Sequence, residues 1–259
     1  MTYSLGITLL IVCPLIFLAC LIDSIAGGGG IIALPAYMAA GLPVHTAYGT
    51  NKFVMAFGTS SASINYLRSG CVRLDLAPGG ILGSIAGALI GTKLALIMSA
   101  HALELCLIII LLVVAVLMFF NRGFGNAPEQ DIKISWKIAV PLSFLIAFIL
   151  GIYDGFFGPG CGMFLILAFV YFEKLDMVHA TGTTKVINWA SNLSSAVAYA
   201  MAGKIEYKIA VPCILCAVAG NLAGSQIAIK KGSKFIKPVL AIVALMLLAK
   251  IVIQFVQDL

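Results

Sequence analysis

Charge is scarce in this chain. It holds 16 Lys and Arg and 10 Asp and Glu in 259 residues, a tenth of the sequence, where soluble domains carry about a quarter. So few ionised groups cannot clothe a water-facing surface. With 62% hydrophobic residues and a mean hydropathy of +1.11, most of the outside must meet lipid. A basic cluster is also missing. The net charge of +6 comes from single residues at the ends of apolar runs, which excludes a nucleic-acid-binding patch. Metal-ligand spacing is absent: His45, His101 and His179 stand alone, so neither metal nor cofactor is expected. Gly27–Gly30 is followed by apolar residues and not by Lys-Ser or Lys-Thr, so it is no phosphate loop. No serine nucleophile arrangement is visible. The seven cysteines are odd in number and scattered, which is no disulfide framework. Cys213 and Cys216 have redox spacing but lie in an apolar run, and read as small buried apolar residues.

Apolar runs are abundant. They cover roughly 5–26, 31–42, 47–67, 76–98, 103–120, 137–157, 161–172, 182–202, 208–229 and 236–256. Eight are long enough to span a bilayer, which takes about 20 residues. The exceptions, 31–42 and 161–172, each follow a helix-breaking cluster, Gly27-Gly28-Gly29-Gly30 or Gly158-Pro159-Gly160. In lipid, such a break survives only where protein buries it or where it lines a cavity. No Lys or Arg precedes the first run, so it reads as a spanning helix and not as a signal peptide.

The chain repeats itself. Residues 47–95 slide onto 180–228: Ala47, Gly49, Thr50 and Lys52 fall on Ala180, Gly182, Thr183 and Lys185, Tyr66 and Gly70 on Tyr199 and Gly203, Gly87 and Gly91 on Gly220 and Gly224. Asp23 with its glycine run matches Asp154 with Gly158-Pro159-Gly160. The expected organisation is a first membrane repeat (1–120), a polar cytoplasmic linker (121–136) and a second membrane repeat (137–259). Internal repeats of this kind are common in transporters.

Basic residues mark cytoplasmic loops. If 5–26 enters the membrane and 31–42 returns to the same side, Arg68, Arg73, Arg122, Lys133, Lys137, Lys174, Lys230, Lys231, Lys234 and Lys237 share one side and only Lys204, Lys208 and Lys250 oppose them. That arrangement inverts the second half relative to the first and leaves both termini extracytoplasmic. The predicted fold is therefore an all-α, polytopic integral membrane bundle of two inverted repeats, each with a glycine-broken helix and a short half-helix.

Four constellations could carry chemistry. The first is the pair of breaks. A half-helix that starts inside the membrane offers free N–H groups and the positive end of its dipole to an anion, which points to residues 27–32 and 158–163, with Gly27, Gly28, Gly29, Gly30, Gly158, Pro159, Gly160 and Cys161 foremost; the competing reading is close helix packing. The second is Lys52 with Lys185, each after a Gly-Thr step that adds Thr50, Asn51, Thr183 and Thr184. A lysine within a span is costly and a functional candidate, against snorkelling to headgroups. The third is a polar stripe on one helix face, Lys185, Asn188, Asn192, Ser195 and Tyr199, weakly echoed by Lys52, Thr59, Ser63 and Tyr66. The fourth is Asp23 with Asp154, either proton carriers or braces of the adjacent breaks. Gly79, Gly83, Gly87 and Gly91 read as a packing face.

Asp23-Ser-Ile-Ala-Gly-Gly-Gly-Gly30, Pro35, Gly41, Ala47-Tyr-Gly-Thr-Asn-Lys52, Tyr66 and Gly70, followed by Gly151-Ile-Tyr-Asp-Gly-Phe-Phe-Gly-Pro-Gly160 and Ala180-Thr-Gly-Thr-Thr-Lys185, resemble the two repeats of the sulfite exporter TauE/SafE family over nearly the whole chain. One departure is Cys161, which stands where the first repeat has Gly30. The resemblance implies a multi-pass permease of the cell inner membrane that exports sulfite or an organosulfonate. The residues themselves point to a small anion. The expected function is secondary transport by alternating access, with Lys52 at the outer mouth and Lys185 at the cytoplasmic one. The rivals are a passive anion channel and, from another class, an intramembrane enzyme. The expected partners are a small anionic solute and the lipid bilayer, with a homodimer as the candidate assembly and no nucleic acid.

Overall fold

The computed structural model describes residues 5–99 and 134–257, with side chains as far as Met246. The expected run 103–120 and most of the expected linker lie outside the described residues. Within them every regular element is a helix: α1 (Leu5–Ala26), α2 (Gly30–Ala39), α3 (Val44–Arg68), α4 (Ala77–Ile97), α5 (Trp136–Phe156), α6 (Cys161–Phe172), α7 (Met177–Met201), α8 (Tyr207–Lys231) and α9 (Ser233–Gln257).

The two expected breaks are present. Gly27, Gly158 and Gly160 adopt φ of +73°, +90° and +79°, a region that side chains rarely enter. The helices that follow, α2 and α6, have 10 and 12 residues. At 1.5 Å per residue they reach about 15–18 Å, half of a ~30 Å hydrocarbon core. Both are half-helices.

Among the described residues, α1, α4, α5 and α8 are long and apolar enough to cross a membrane. α3 and α7 are just as long, at 25 residues each, but too polar to count. Their polarity points inward: Thr50, Asn51, Lys52, Thr59 and Ser63 on α3 and Thr183, Thr184, Lys185, Asn188, Asn192 and Ser195 on α7 are all buried. The outer face is the reverse, with Leu10, Leu82, Ile90, Leu145, Ile149, Val211 and Leu215 exposed. A polar interior under an apolar exterior is the arrangement lipid selects.

Glycines bring the helices close. A Cβ on Gly83, Gly87 or Gly91 of α4 would fall 2.3, 2.2 or 2.1 Å from the carbonyl oxygens of Phe144, Phe148 and Ile152 on α5. Gly220 and Gly224 of α8 meet the Phe17 and Leu21 carbonyls of α1 at 2.3 Å each. The packing reading of the glycine stripe therefore holds, and these contacts match between the repeats. Residue numbers rise together on both helices, so α4 runs parallel to α5, and α8 to α1. The repeat mates α3 and α7 pack the other way: Gly49 lies against Tyr199, Lys52 reaches Asn192, and Gly182 lies against Tyr66. They are antiparallel.

Candidate functional site: a polar cavity where the helix breaks meet

The two breaks touch. A Cβ on Gly27 would lie 2.2 Å from the Gly162 carbonyl carbon, and the Met163 amide donates to the Gly27 carbonyl at 3.3 Å. Pro159 sits against Gly30. Glycine is what lets one backbone lie on the other here.

A small cavity opens beside this contact. Its walls are Asp23, Gly27 and Gly30 from the first break, Gly158, Gly162 and Asp154 from the second, Asn51, Lys52 and Met55 from α3, and Asn188 and Asn192 from α7. The space between them is on the scale of one or two waters. Ten of these positions are expected from sequence, Gly162 as part of the second break (158–163). Met55 is not, although it is the repeat mate of the expected Asn188, a signal the repeat itself carries.

The lysines and aspartates pair across the repeats. Lys52 Nζ is 2.8 Å from Asp154 Oδ2 and donates to Asn192 Oδ1 at 3.2 Å. Lys185 Nζ is 2.8 Å from Asp23 Oδ2. Lys52 and Lys185 are 2% and 0% exposed, so neither snorkels outward. The pairing is physically required, since an unpaired buried ion costs several kcal/mol. Asp154 also accepts from Ser191 Oγ and, at 3.4 Å, from Asn188 Nδ2. Asn192 donates to Asn188 at 3.1 Å, which ties the α7 stripe together.

The break amides are not all free for a solute. Gly29 N donates to Asp23 Oδ1 at 3.1 Å, so the protein's own carboxylate occupies the first break. Other expected residues sit away from the cavity. Thr50 Oγ1 accepts from the Glu206 amide at 3.0 Å and its mate Thr183 Oγ1 from the Arg73 amide at 3.0 Å; each holds the segment that leaves a helix of the other repeat. Cys161 donates to the Leu150 carbonyl at 3.3 Å. Gly28 packs against Val243. Gly29, Pro159, Gly160, Thr184 and Lys185 are likewise not among the lining residues.

The sequence matches the model of one family, described as Sulfite exporter TauE/SafE, over residues 12–251. The chain belongs to the TauE/SafE family. It is 36% identical over 231 residues to the "Probable membrane transporter protein ORF9" of Sinorhizobium sp, covering 89% of this chain and 87% of that one. It is 31% identical to a probable membrane transporter protein of Haemophilus influenzae, over 91% of each chain. It is also 31% identical to the probable membrane transporter protein YfcA of Escherichia coli K12, over 90% of this chain and 86% of that one. No solved structure matches. The chain is thus a multi-pass membrane transporter of the TauE/SafE family and not an enzyme.

This TauE/SafE protein holds another buried carboxylate away from the cavity. Glu173, just past the end of α6, is 1% exposed, and among the described residues neither carboxylate oxygen has a hydrogen-bond partner. Burial pushes its pKa from 4.5 up to about 7, against the opposing pull of the Arg73 guanidinium. The raised value means the native state holds a proton that the unfolded chain gives up. Stability from this group is therefore full below pH 4.5 and is lost as pH rises toward 7. Glu173→Gln removes that loss. Its melting temperature in detergent should exceed that of the wild type at pH 8 and match it at pH 4.5; an equal difference at both pH values would refute the assignment.

Proposed function

We propose that this protein is a secondary transporter of a small oxyanion, sulfite or an organosulfonate, working by alternating access in the cell inner membrane with both termini extracytoplasmic. One observation carries the reading: two lysine–aspartate pairs, each bridging the repeats, converge beside the meeting point of two intramembrane helix breaks. A fixed scaffold needs no such charges in lipid, and ionisable groups there mark solute paths. The antiparallel packing of α3 and α7 supports inverted repeats, which can rock against each other around a site at their interface. The small size of the cavity, with room for one or two waters, favours a gated carrier over an open pore. The family name supports sulfite and organosulfonates as the first solutes to test.

The test is flux into liposomes holding the purified protein, with sulfite, sulfoacetate, sulfate and chloride offered in turn. Saturable uptake of a sulfur oxyanion is expected. Lys52→Ala should cut it roughly tenfold or more, the change given by about 1.4 kcal/mol of lost binding. Non-saturating flux would instead select the channel. Absence of flux with every anion would remove the oxyanion reading.

A further inference from the structure

The two ion pairs are not equivalent. Lys52, Asp154 and Asp23 line the cavity, whereas Lys185 does not. Asp23 is fastened to the backbone by the Gly29 amide, and its partner Lys185 is wholly buried. That pair braces the first break. Among the described residues Asp154 is held by side chains: Lys52, Ser191 and Asn188, with the Cys161 thiol beside them. Groups on rotatable bonds can change partners without unpicking a helix end. Lys52 has a second anchor in Asn192, so it stays at the cavity wall when Asp154 lets go. Asn51 also lines the cavity, 8% exposed, and among the described residues its amide oxygen has no partner. Turning the amide over would present its NH2 to an oxyanion at no lost hydrogen bond of that oxygen.

Building on the transport reading above, we infer that Lys52–Asp154 is the exchanging pair: a monoanionic oxyanion takes the place of Asp154 on Lys52, and Asp154 takes up a proton in the same step. The charges balance. Before binding, the pair is one ammonium and one carboxylate. Afterwards it is one ammonium, one oxyanion and one neutral carboxyl, with a single O–H bond formed on Asp154. Without the proton, two anions would share one cation in a nearly dry cavity, and one of them would be buried unpaired at a cost no small solute offsets. A dianion leaves the same surplus, so the site favours monoanions over sulfate. Of the other titratable groups around Asp154 among the described residues, the Cys161 thiol donates to the Leu150 carbonyl and also lies against Asp154 and Lys52, Tyr153 donates to the Pro159 carbonyl at 2.6 Å, and Asp23 is paired with Lys185.

The consequence is electroneutral co-movement of one proton with each monoanion. The experiment uses the full chain in liposomes with a pH dye inside and the membrane potential clamped by a potassium gradient and valinomycin. The probes are sulfite and methanesulfonate, the latter a permanent monoanion that cannot itself bring the proton. With methanesulfonate the wild type should acidify the lumen by one proton per anion, with uptake indifferent to the imposed potential; bisulfite adds to this the proton that it releases itself. Asp154→Asn should leave anion movement that follows the potential and a lumen pH that does not change. Wild-type flux that follows the potential without acidification overturns the inference and leaves the transport reading standing, whether or not the variant folds. Proton movement that persists in Asp154→Asn also overturns it. No anion flux in the wild type removes the transport reading as well.

Discussion

Lys185→Met should destabilise the protein by about 3–5 kcal/mol, the usual cost of removing one partner from a buried pair. Methionine keeps most of the lysine volume, so the loss reports charge and not a cavity. It strands Asp23, 4% exposed, with the Gly29 amide as its remaining hydrogen-bond partner. Asp23→Asn should cost a similar amount by stranding the ammonium. The double variant should recover much of the loss, because neither charge is then left alone; the coupling energy of this cycle measures the pair. Arg73–Asp75 is the internal control. It is a close pair at 2.6 Å, but Asp75 is 46% exposed, and water and salt screen it to roughly 0–1 kcal/mol. Thermal melts of the four cycle members in detergent decide the matter. If the two single substitutions cost under 1 kcal/mol each and add without coupling, the pair is not what holds the first break to α7.

That pairing joins residues 162 positions apart, which no local pattern displays. The breaks at Gly27–Gly30 and Gly158–Gly160, the half-helices behind them and the glycine stripe on α4 were all legible, because each rests on local backbone chemistry. The candidate residues were legible by type. What one sequence does not display is which distant residues meet. Inversion of the repeats places Lys52 at the outer mouth and Lys185 at the cytoplasmic one in the sequence reading; in the structure each is buried against the carboxylate of the opposite repeat. The charges of the spans do carry a hint: two lysines and two aspartates in a low-dielectric interior neutralise one another more cheaply than they stay apart. Adjacency to the lysines groups Thr50 and Thr183 with the site. They point instead at amides of the facing repeat, and helical periodicity within a single repeat carries no sign of that. Local rules locate the elements; the crossing of the halves assembles the site.

Gly27→Ala should be the most damaging single methyl in the described part of the chain. Two separable costs act there. The first is conformational: at φ +73° a Cβ crowds its own backbone, at about 1–2 kcal/mol. The second is packing: the same Cβ would lie 2.2 Å from Gly162 C and 2.3 Å from Met163 N. Those are backbone atoms, which cannot swing aside as a side-chain tip can, and overpacking adds about 1–3 kcal/mol. Other glycines separate the two. Gly70 has φ +69° and nothing within 4 Å of its added Cβ, so Gly70→Ala carries the conformational cost alone. Gly49 lies inside α3 with its added Cβ 2.0 Å from the Lys204 carbonyl oxygen, so Gly49→Ala carries the packing cost alone, and Gly182→Ala repeats it at 2.0 Å from the Cys71 oxygen. Gly6 has no neighbour within 4 Å and should gain slightly from alanine's helix propensity. Melting temperatures should rank Gly6→Ala highest, Gly70→Ala and Gly49→Ala below it, and Gly27→Ala lowest, by about the sum of the two intermediate losses. Gly27→Ala should also lose anion flux first, because the contact between the breaks forms one side of the cavity. A Gly27→Ala protein as stable as Gly70→Ala would mean that the breaks separate readily, and that their contact belongs to one state of the transport cycle and does not hold the fold together.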